Sequence, residues 1–577
     1  MAVYRSDQAQ LTFAVEAAQG GDPEMIEGTA GTGSTTLSAA FEAGSRSITV
    51  ASNSNFTVGD QIRIGTVHGT PAQTVTEHEV RRIELIDSTT FVLDRPTAFY
   101  HASGQEVKEI TALGGDATRN DDGKYLTWIP GVYESVDTPD PEMAIEPRRF
   151  LGTQSKRNFA IAYKGQQTLS GGVSGIVLLN GIPLRFPIGK VVTTPSSVTS
   201  HTVLLNGAAK KGDIFISLDG GDVGDIAVDD YINIDDGSST VSEVRKVVLI
   251  PSSGNYKLNA PLQFDHADNV SVAECAGNAT YTHVISETTS LDTVSWHVHM
   301  RDSDETTAND FDRRYVGGMI GSSTISGEEG GLVTMSWDSV NFLDMVHNQA
   351  SQTSSQLYSG ASVTATMPRY GLMQAIDVDD VGEPGLNNGT GFPTTEPYYF
   401  SQGQVKFFGQ EFARIRSFSL SISNGEEPRY YIQRSGMGRH RGPSEIFEGP
   451  REYSMSASVT LPDTIAATAT TQTGATELFK QLLLEGDFGG TSAAQRMAGF
   501  TISLRFDRGT NDSIIIDIPS SSTAGSPTAA SAALNRQGAF ISTAPHTITT
   551  DNPFQVELDI LFRGMKITVN DSVPVYP

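Results

Sequence analysis

Gly44-Ser45-Arg46-Ser47-Ile48-Thr49-Val50 and Gly212-Asp213-Ile214-Phe215-Ile216-Ser217-Leu218 open two stretches that match block for block. The earlier stretch continues through Val58-Gly59-Asp60-Gln61-Ile62-Arg63-Ile64, Glu79-Val80-Arg81-Arg82-Ile83 and Leu93-Asp94-Arg95-Pro96 to Phe99-Tyr100-His101-Ala102. The later one continues through Val228-Asp229-Asp230-Tyr231-Ile232-Asn233-Ile234, Glu243-Val244-Arg245-Lys246-Val247 and Leu258-Asn259-Ala260-Pro261 to Phe264-Asp265-His266-Ala267. Each block alternates apolar and polar residues at period two, the mark of a half-buried strand. Chance alternation imitates one block but hardly five in the same order. Residues 43–110 and 211–275 therefore read as one small β-barrel or sandwich, used twice.

The rest of the chain has the same texture. Its 577 residues suffice for several domains, and 57 glycines punctuate short alternating runs with little helical periodicity. The expectation is an all-β protein. No apolar run approaches the roughly 18–20 residues that span a bilayer. Met1 to Gly20 lacks the basic flank and apolar core of a secretory signal. Cys275 is the only cysteine, so no internal disulfide forms. The net charge is −27, from 67 acidic and 40 basic residues. Phosphate neutralisation needs Lys and Arg, so this balance argues against tight nucleic-acid binding. With 12 Lys against 28 Arg, the acidic surface also suits a salt-rich source.

A fainter duplication lies outside the small modules. Glu146-Pro147-Arg148 precedes an extended stretch to Val177-Leu178, and Glu427-Pro428-Arg429 precedes one to Val459-Thr460-Leu461. Val294–Val298 aligns with Phe500–Leu504, and Leu332–Trp337 with Phe554–Ile560. The expected layout is two tandem β-sandwich or barrel domains, each with a flanking short helix. The first comprises 1–26, 111–195 and 276–350, and the second 401–577, with a connector at 351–400. The small modules, 27–110 and 196–275, are inserted at loops, where insertion costs least. Thr476 to Gly486 carries the one clear helix pattern, with a Thr cap and a terminal Gly. Ser520 to Ala533 reads as a low-complexity loop.

No catalytic pattern emerges. His297 and His299 share a strand face without an evident third ligand, which favours ordinary histidines over a metal. His101 and His266 hold equivalent places in the modules, which marks a shared turn more readily than a shared site. Glu328-Glu329, Glu426-Glu427 and Asp229-Asp230 sit beside turn residues and read as solvated loops rather than paired glycosidase acids. Asp235-Asp236-Gly237 and Asp219-Gly220-Gly221-Asp222 lack a full calcium-loop pattern. Cofactors: none is implied.

Gln404–Glu411, Arg416–Asn424, Arg451–Thr460, the 476–486 helix and the pair Ile502–Arg508 and Ser513–Ile518 follow an order that resembles phage tail tube proteins. Tyr315–Met319 with the Ser326–Gly331 turn resembles it too. The resemblance covers about two thirds of the chain, omitting the small modules. It implies a virion structural protein and not an enzyme: a subunit of the tail of a long-tailed virus, made in the host cytoplasm. Self-assembly would give stacked rings, trimeric and pseudo-hexameric or hexameric, alongside other tail proteins. Viral DNA would pass through the lumen without specific binding. The sheet and interface strands would be those bearing Phe407 and Phe408; Phe418, Leu420 and Ile422; Val333, Met335 and Trp337; Val556, Leu558 and Ile560. The basic loop with Arg434, Arg439, His440 and Arg441 is either an inter-ring contact or a solvated loop; it lacks the aromatics of a nucleic-acid platform. The modules would sit outside the tube, which should survive their deletion. The rival readings are a host-surface glycan or receptor binder, and an acidic surface-layer protein.

Overall fold

The computed structural model describes residues 4–21, 28–66, 77–113, 127–140, 142–148, 161–200, 203–237, 240–302, 311–348, 395–407, 410–411, 415–431, 442–460, 501–509, 511–518, 539–543, 546–547 and 555–577. The helix expected at 476–486 and the loop Ser520 to Ala533 lie outside them, as does nearly all of the connector. Among the described residues the regular structure is almost entirely strand. Its one α-helical turn, Ile182–Arg185, is fully buried and has a proline in its first turn. At four residues it is too short to print a helical period in the sequence.

Two sheets carry the body. A 13-stranded sheet runs from Phe540–Thr543 through Gln555–Phe562, Glu452–Thr460, Ile415–Ser423, Phe311–Glu328, Thr293–Asp302 and Tyr4–Glu16 to Thr127–Trp128. Val333–Asn341 branches from the long central strand and pairs in turn with Ser170–Val177. A seven-stranded sheet runs Gly189–Pro195, Tyr281–Glu287, Lys566–Asp571, Asp512–Ile518, Ile502–Gly509, Gly403–Phe407, Gln410–Glu411. The inner faces of the two sheets share one hydrophobic core, with Phe418 stacked on Phe506 at 5.8 Å across the gap. Phe13, Phe186, Trp296 and Trp337 form its aromatic centre, with centroids 5.1–6.2 Å apart.

Strands from before and after the connector join both sheets. Phe311–Glu328 pairs directly with Ile415–Ser423, and Tyr281–Glu287 with Lys566–Asp571. The connector thus separates strands in sequence but not in the sheets. The two Glu-Pro-Arg motifs lie in two-stranded hairpins, Glu142–Arg148 with Ile161–Thr168 and Glu427–Arg429 with Glu445–Phe447. Val294–Val298 and Phe500–Leu504, aligned by sequence, diverge: Thr293–Asp302 belongs to the larger sheet and Ile502–Gly509 to the smaller. Alternation at period two looks the same in either layer, so it could not tell them apart.

The central strand of 18 residues turns a corner at Gly317-Gly318. Gly317 has φ +70°, and Cβ atoms here would strike Leu343 and Phe342. Glycine alone fits that backbone against those neighbours. Before the corner the strand pairs with Thr293–Asp302, and after it with Val333–Asn341 and Ile415–Ser423.

The later small module is a closed barrel of six strands, Val203–Leu205, Phe215–Gly220, Asn255–Leu258, Glu243–Ser252, Tyr231–Asp235 and Ser271–Glu274. The earlier one places Gly28–Thr36, Ser47–Thr49, Thr90–Leu93, Glu79–Asp87, Gln61–Ile64 and Glu106–Leu113 in the same cyclic order, with an isolated Leu37–Val50 bridge across the remaining gap.

Candidate functional site

In Glu452–Thr460 and Gln555–Phe562, side chains alternate strictly between core and solvent. The core set includes residues expected to mark sheet and interface strands: Phe418, Leu420 and Ile422, Val333, Met335 and Trp337, and Val556, Leu558 and Ile560 are each at most 3% exposed. The chain's own second sheet covers this face. Trp337 also donates its indole N–H to the Pro183 carbonyl at 3.2 Å. The strand of Phe407 pairs with Ile502–Gly509, while the Phe407 side chain and all of Phe408 lie outside the described residues. So do Arg434, Arg439, His440 and Arg441.

The opposite face of the same strands is built from hydroxyls. Across five strands, Thr334, Ser326, Ser419, Ser456 and Asp559 stand in one row. Ser336, Thr324, Ser421, Ser454 and Leu561 form a second, and Glu328, Ser417, Ser458 and Glu557 a third. No lysine or arginine stands in these rows. Neighbours are bonded: Ser326 to Thr334 at 3.2 Å and Ser458 to Glu557 at 2.8 Å, while Thr324 reaches Asp338 at 2.6 Å. A solvent-open trough lined by Glu134, Glu328, Ser419, Ser456 and Glu557 crosses this surface. Short hydroxyls and carboxylates leave it smooth, wet and negative. The serine alternation at 417–423 and 454–458 was the available signal for this face, but only register shows that the serines align.

The outer face of the seven-stranded sheet differs. There one row reads Lys406, Ser503, Asp517, Lys566, Ser286, Lys190. Lysines stand within that row, whereas the three hydroxyl rows hold none; the nearest cation beside them among the described residues is Arg416, half exposed next to Ser417 and paired with Glu329.

One edge of the seven-stranded sheet is closed by the barrel. Thr193 donates its N–H to the Ser242 carbonyl at 3.0 Å, and Ser242 Oγ returns a bond to the Thr193 carbonyl at 2.9 Å. The Val191 N–H is taken by Gln263 Oε1 at 3.2 Å, while Gln263 Nε2 donates to the Tyr576 carbonyl at 3.0 Å. Asp292 pins the barrel further by pairing with buried Arg185 and with Lys211. Ser242 and Gln263 carried no sequence signal, because their partners lie far away along the chain.

His101 and His266 are turn anchors. Glu79 receives His101 Nε2 at 2.7 Å, the Ala98 N–H at 2.8 Å and Arg81 at 2.5 Å. Glu243 receives His266 Nε2 at 2.8 Å, the Gln263 N–H at 3.0 Å and Arg245 at 2.6 Å. Burial pushes both carboxyls up, but the arginine, the histidine and the N–H donors outweigh it and hold them below the ordinary range. Both glutamates are fully buried, which suits a structural clasp rather than a ligand site.

His297 is buried, and the His299 side chain lies outside the described residues. Among the described residues, no three His, Cys, Asp or Glu gather as a metal-binding set. Glu426 and Glu427 diverge, the first accepting from Ser339 and Asn341 and the second pairing with Arg429 at the surface. Asp235 accepts the Gly237 N–H within its own turn.

A family model described as phage tail tube protein matches residues 156–560, more than half of the chain. No curated protein matches it.

Proposed function

The chain belongs to the phage tail tube protein family, and from that premise we propose that its copies close into rings, that the rings stack into the tail tube, and that the serine face lines the bore. The observation that carries the assignment is the set of rows across four or five strands, made of hydroxyls and carboxylates apart from Leu561 and free of lysine and arginine. DNA is held chiefly by cations that neutralise its phosphates. A wall of hydroxyls and carboxylates keeps its own hydration and repels the duplex, so a passing genome meets no sticking point. The lysine-bearing face of the other sheet would retard it and belongs on the outside.

The direct pairing of strands from both halves supports a count of three chains per ring, because one chain then supplies two neighbouring segments of wall. The barrel's rigid docking on the body favours a wall component over a tethered binder of host surfaces. The tube is part of the virion tail, and other tail proteins would meet it at its two ends.

Electron microscopy of the purified chain should show hollow filaments. In filaments of the double variant Ser419→Lys, Ser456→Lys, DNA within the bore should be retained in low salt and released as salt rises. Filaments that form normally but hold DNA no better than the parent would refute the face assignment.

A further inference from the structure

The two Glu-Pro-Arg hairpins are built alike and end differently. In the second, Pro428 pairs with Ile446, and Ile446 is only 3% exposed, packed with Leu291, Met319 and Leu343 of the first half. Gln19 holds its edge as a strand would, donating to the Ile446 carbonyl and accepting the Ile446 N–H, both at 3.1 Å. The second half's hairpin is therefore seated on the first half. In the first hairpin Pro147 pairs with Ala162 and Glu146 with Tyr163, the register that Pro428 and Glu427 keep with Ile446 and Phe447. Glu146 pairs with Arg148 as Glu427 pairs with Arg429. Yet Ile145 is 68% exposed and Ile161 46%, on opposite faces of the ribbon, while Tyr163 at 49% matches its counterpart Phe447 at 44%. A two-stranded ribbon has little stability of its own in water, and isoleucines on it lose burial that the second hairpin's Ile446 enjoys.

We infer that the first hairpin docks on the second half of a neighbouring copy, repeating between chains the contact that the second hairpin makes within one. This rests on the ring assembly proposed above and names its contact. The Ile145, Pro147 and Ala162 face corresponds to the seated face of the other hairpin and is the buried one, while Glu146, Tyr163, Arg148 and Ile161 lie on the opposite face. A second copy is the occupant because the chain already seats one such ribbon on its hydrophobic face, while the other is held only near its end, where Tyr430 donates to the Gln167 carbonyl at 3.3 Å, and keeps its Ile145 face exposed. A heterologous contact of this kind, head to tail, closes into a ring when its rotation permits.

Ile145→Asp changes an exposed position, so the urea midpoint should stay at the parent value. The concentration needed for filaments should rise about tenfold or more, as for loss of a central anchor. For direct mapping, p-benzoylphenylalanine is placed at position 145, and filaments are made from equal parts of light and ¹⁵N-labelled chains. After irradiation, light-to-heavy adducts should map to residues 401–577 of the other copy. Adducts within one chain, adducts to the first half of a neighbour, or filaments without adducts each overturn the contact. Filaments that survive Ile145→Asp at the parent concentration overturn it as well, and leave the tube reading intact. A parent chain that assembles into nothing refutes the tube and the contact together.

Discussion

Glu243 has no exposed surface, and a carboxylate survives there only with donors on every side. Arg245, His266 and the Gln263 N–H supply them, as Arg81, His101 and the Ala98 N–H do for Glu79. Removing one donor strands the charge. His266→Ala should cost about 1–3 kcal/mol, seen as a lower urea midpoint for the barrel, and His101→Ala should cost its module a like amount. A variant with an unchanged midpoint would show the histidine to be a bystander. Because both carboxyls lie below their ordinary pKa, their contribution is present above the unfolded pKa and is lost as pH falls through the folded one.

Asp213 titrates in the opposite sense. Burial between the modules, reinforced by nearby Glu77, pushes its carboxyl up to about 8, and Asp265 and Glu42 add to the repulsion. A folded-state pKa above the ordinary 3.8 means that the protonated form is favoured on folding. The penalty therefore begins above the ordinary value, grows with pH and levels off past about 8. Asp213→Asn should raise the thermal midpoint more at pH 9 than at pH 5, while still accepting the Lys210 N–H at this turn. An equal gain at both values would place the destabilising charge elsewhere.

Among the strands, the edge matters more than the middle. An open strand edge is a template for pairing with any passing strand. At Gly189–Pro195 the barrel occupies that edge, using Ser242 and Gln263 as substitute partners. The expectation that tubes simply lose an outer ornament when 196–275 is deleted changes for this reason. With a short linker in place of the barrel, Val191 and Thr193 lose the groups that bond their N–H atoms. The truncated chain should form irregular aggregates by sedimentation, and amides 191 and 193 should exchange at least tenfold faster, the ratio expected for about 1.4 kcal/mol of lost protection. Regular tubes with slow exchange at both amides would show the cap to be dispensable.

In the assembled body, two sheets pack around one core, and function is read from the faces they turn outward. The serine rows are candidates for the bore because five strands hold them in register, and the hairpin with its Ile145 face exposed is a candidate for the seam between copies. Much of this was legible in advance. Period-two alternation made the chain all-β, and residues such as Leu420, Met335 and Leu558 declared themselves apolar members of a strand. Alternation is local, set by how successive side chains project from a pleated backbone, and so it survives in the sequence alone. Which sheet a strand joins, which face meets water, and which distant side chain closes an edge depend on contacts between residues tens to hundreds of positions apart. Thr193 finds Ser242, Gln19 finds Ile446 and Phe418 finds Phe506 only once the chain is packed. Packing, not pattern, therefore chose the serine rows as a single surface and left one of two like hairpins with its apolar face exposed.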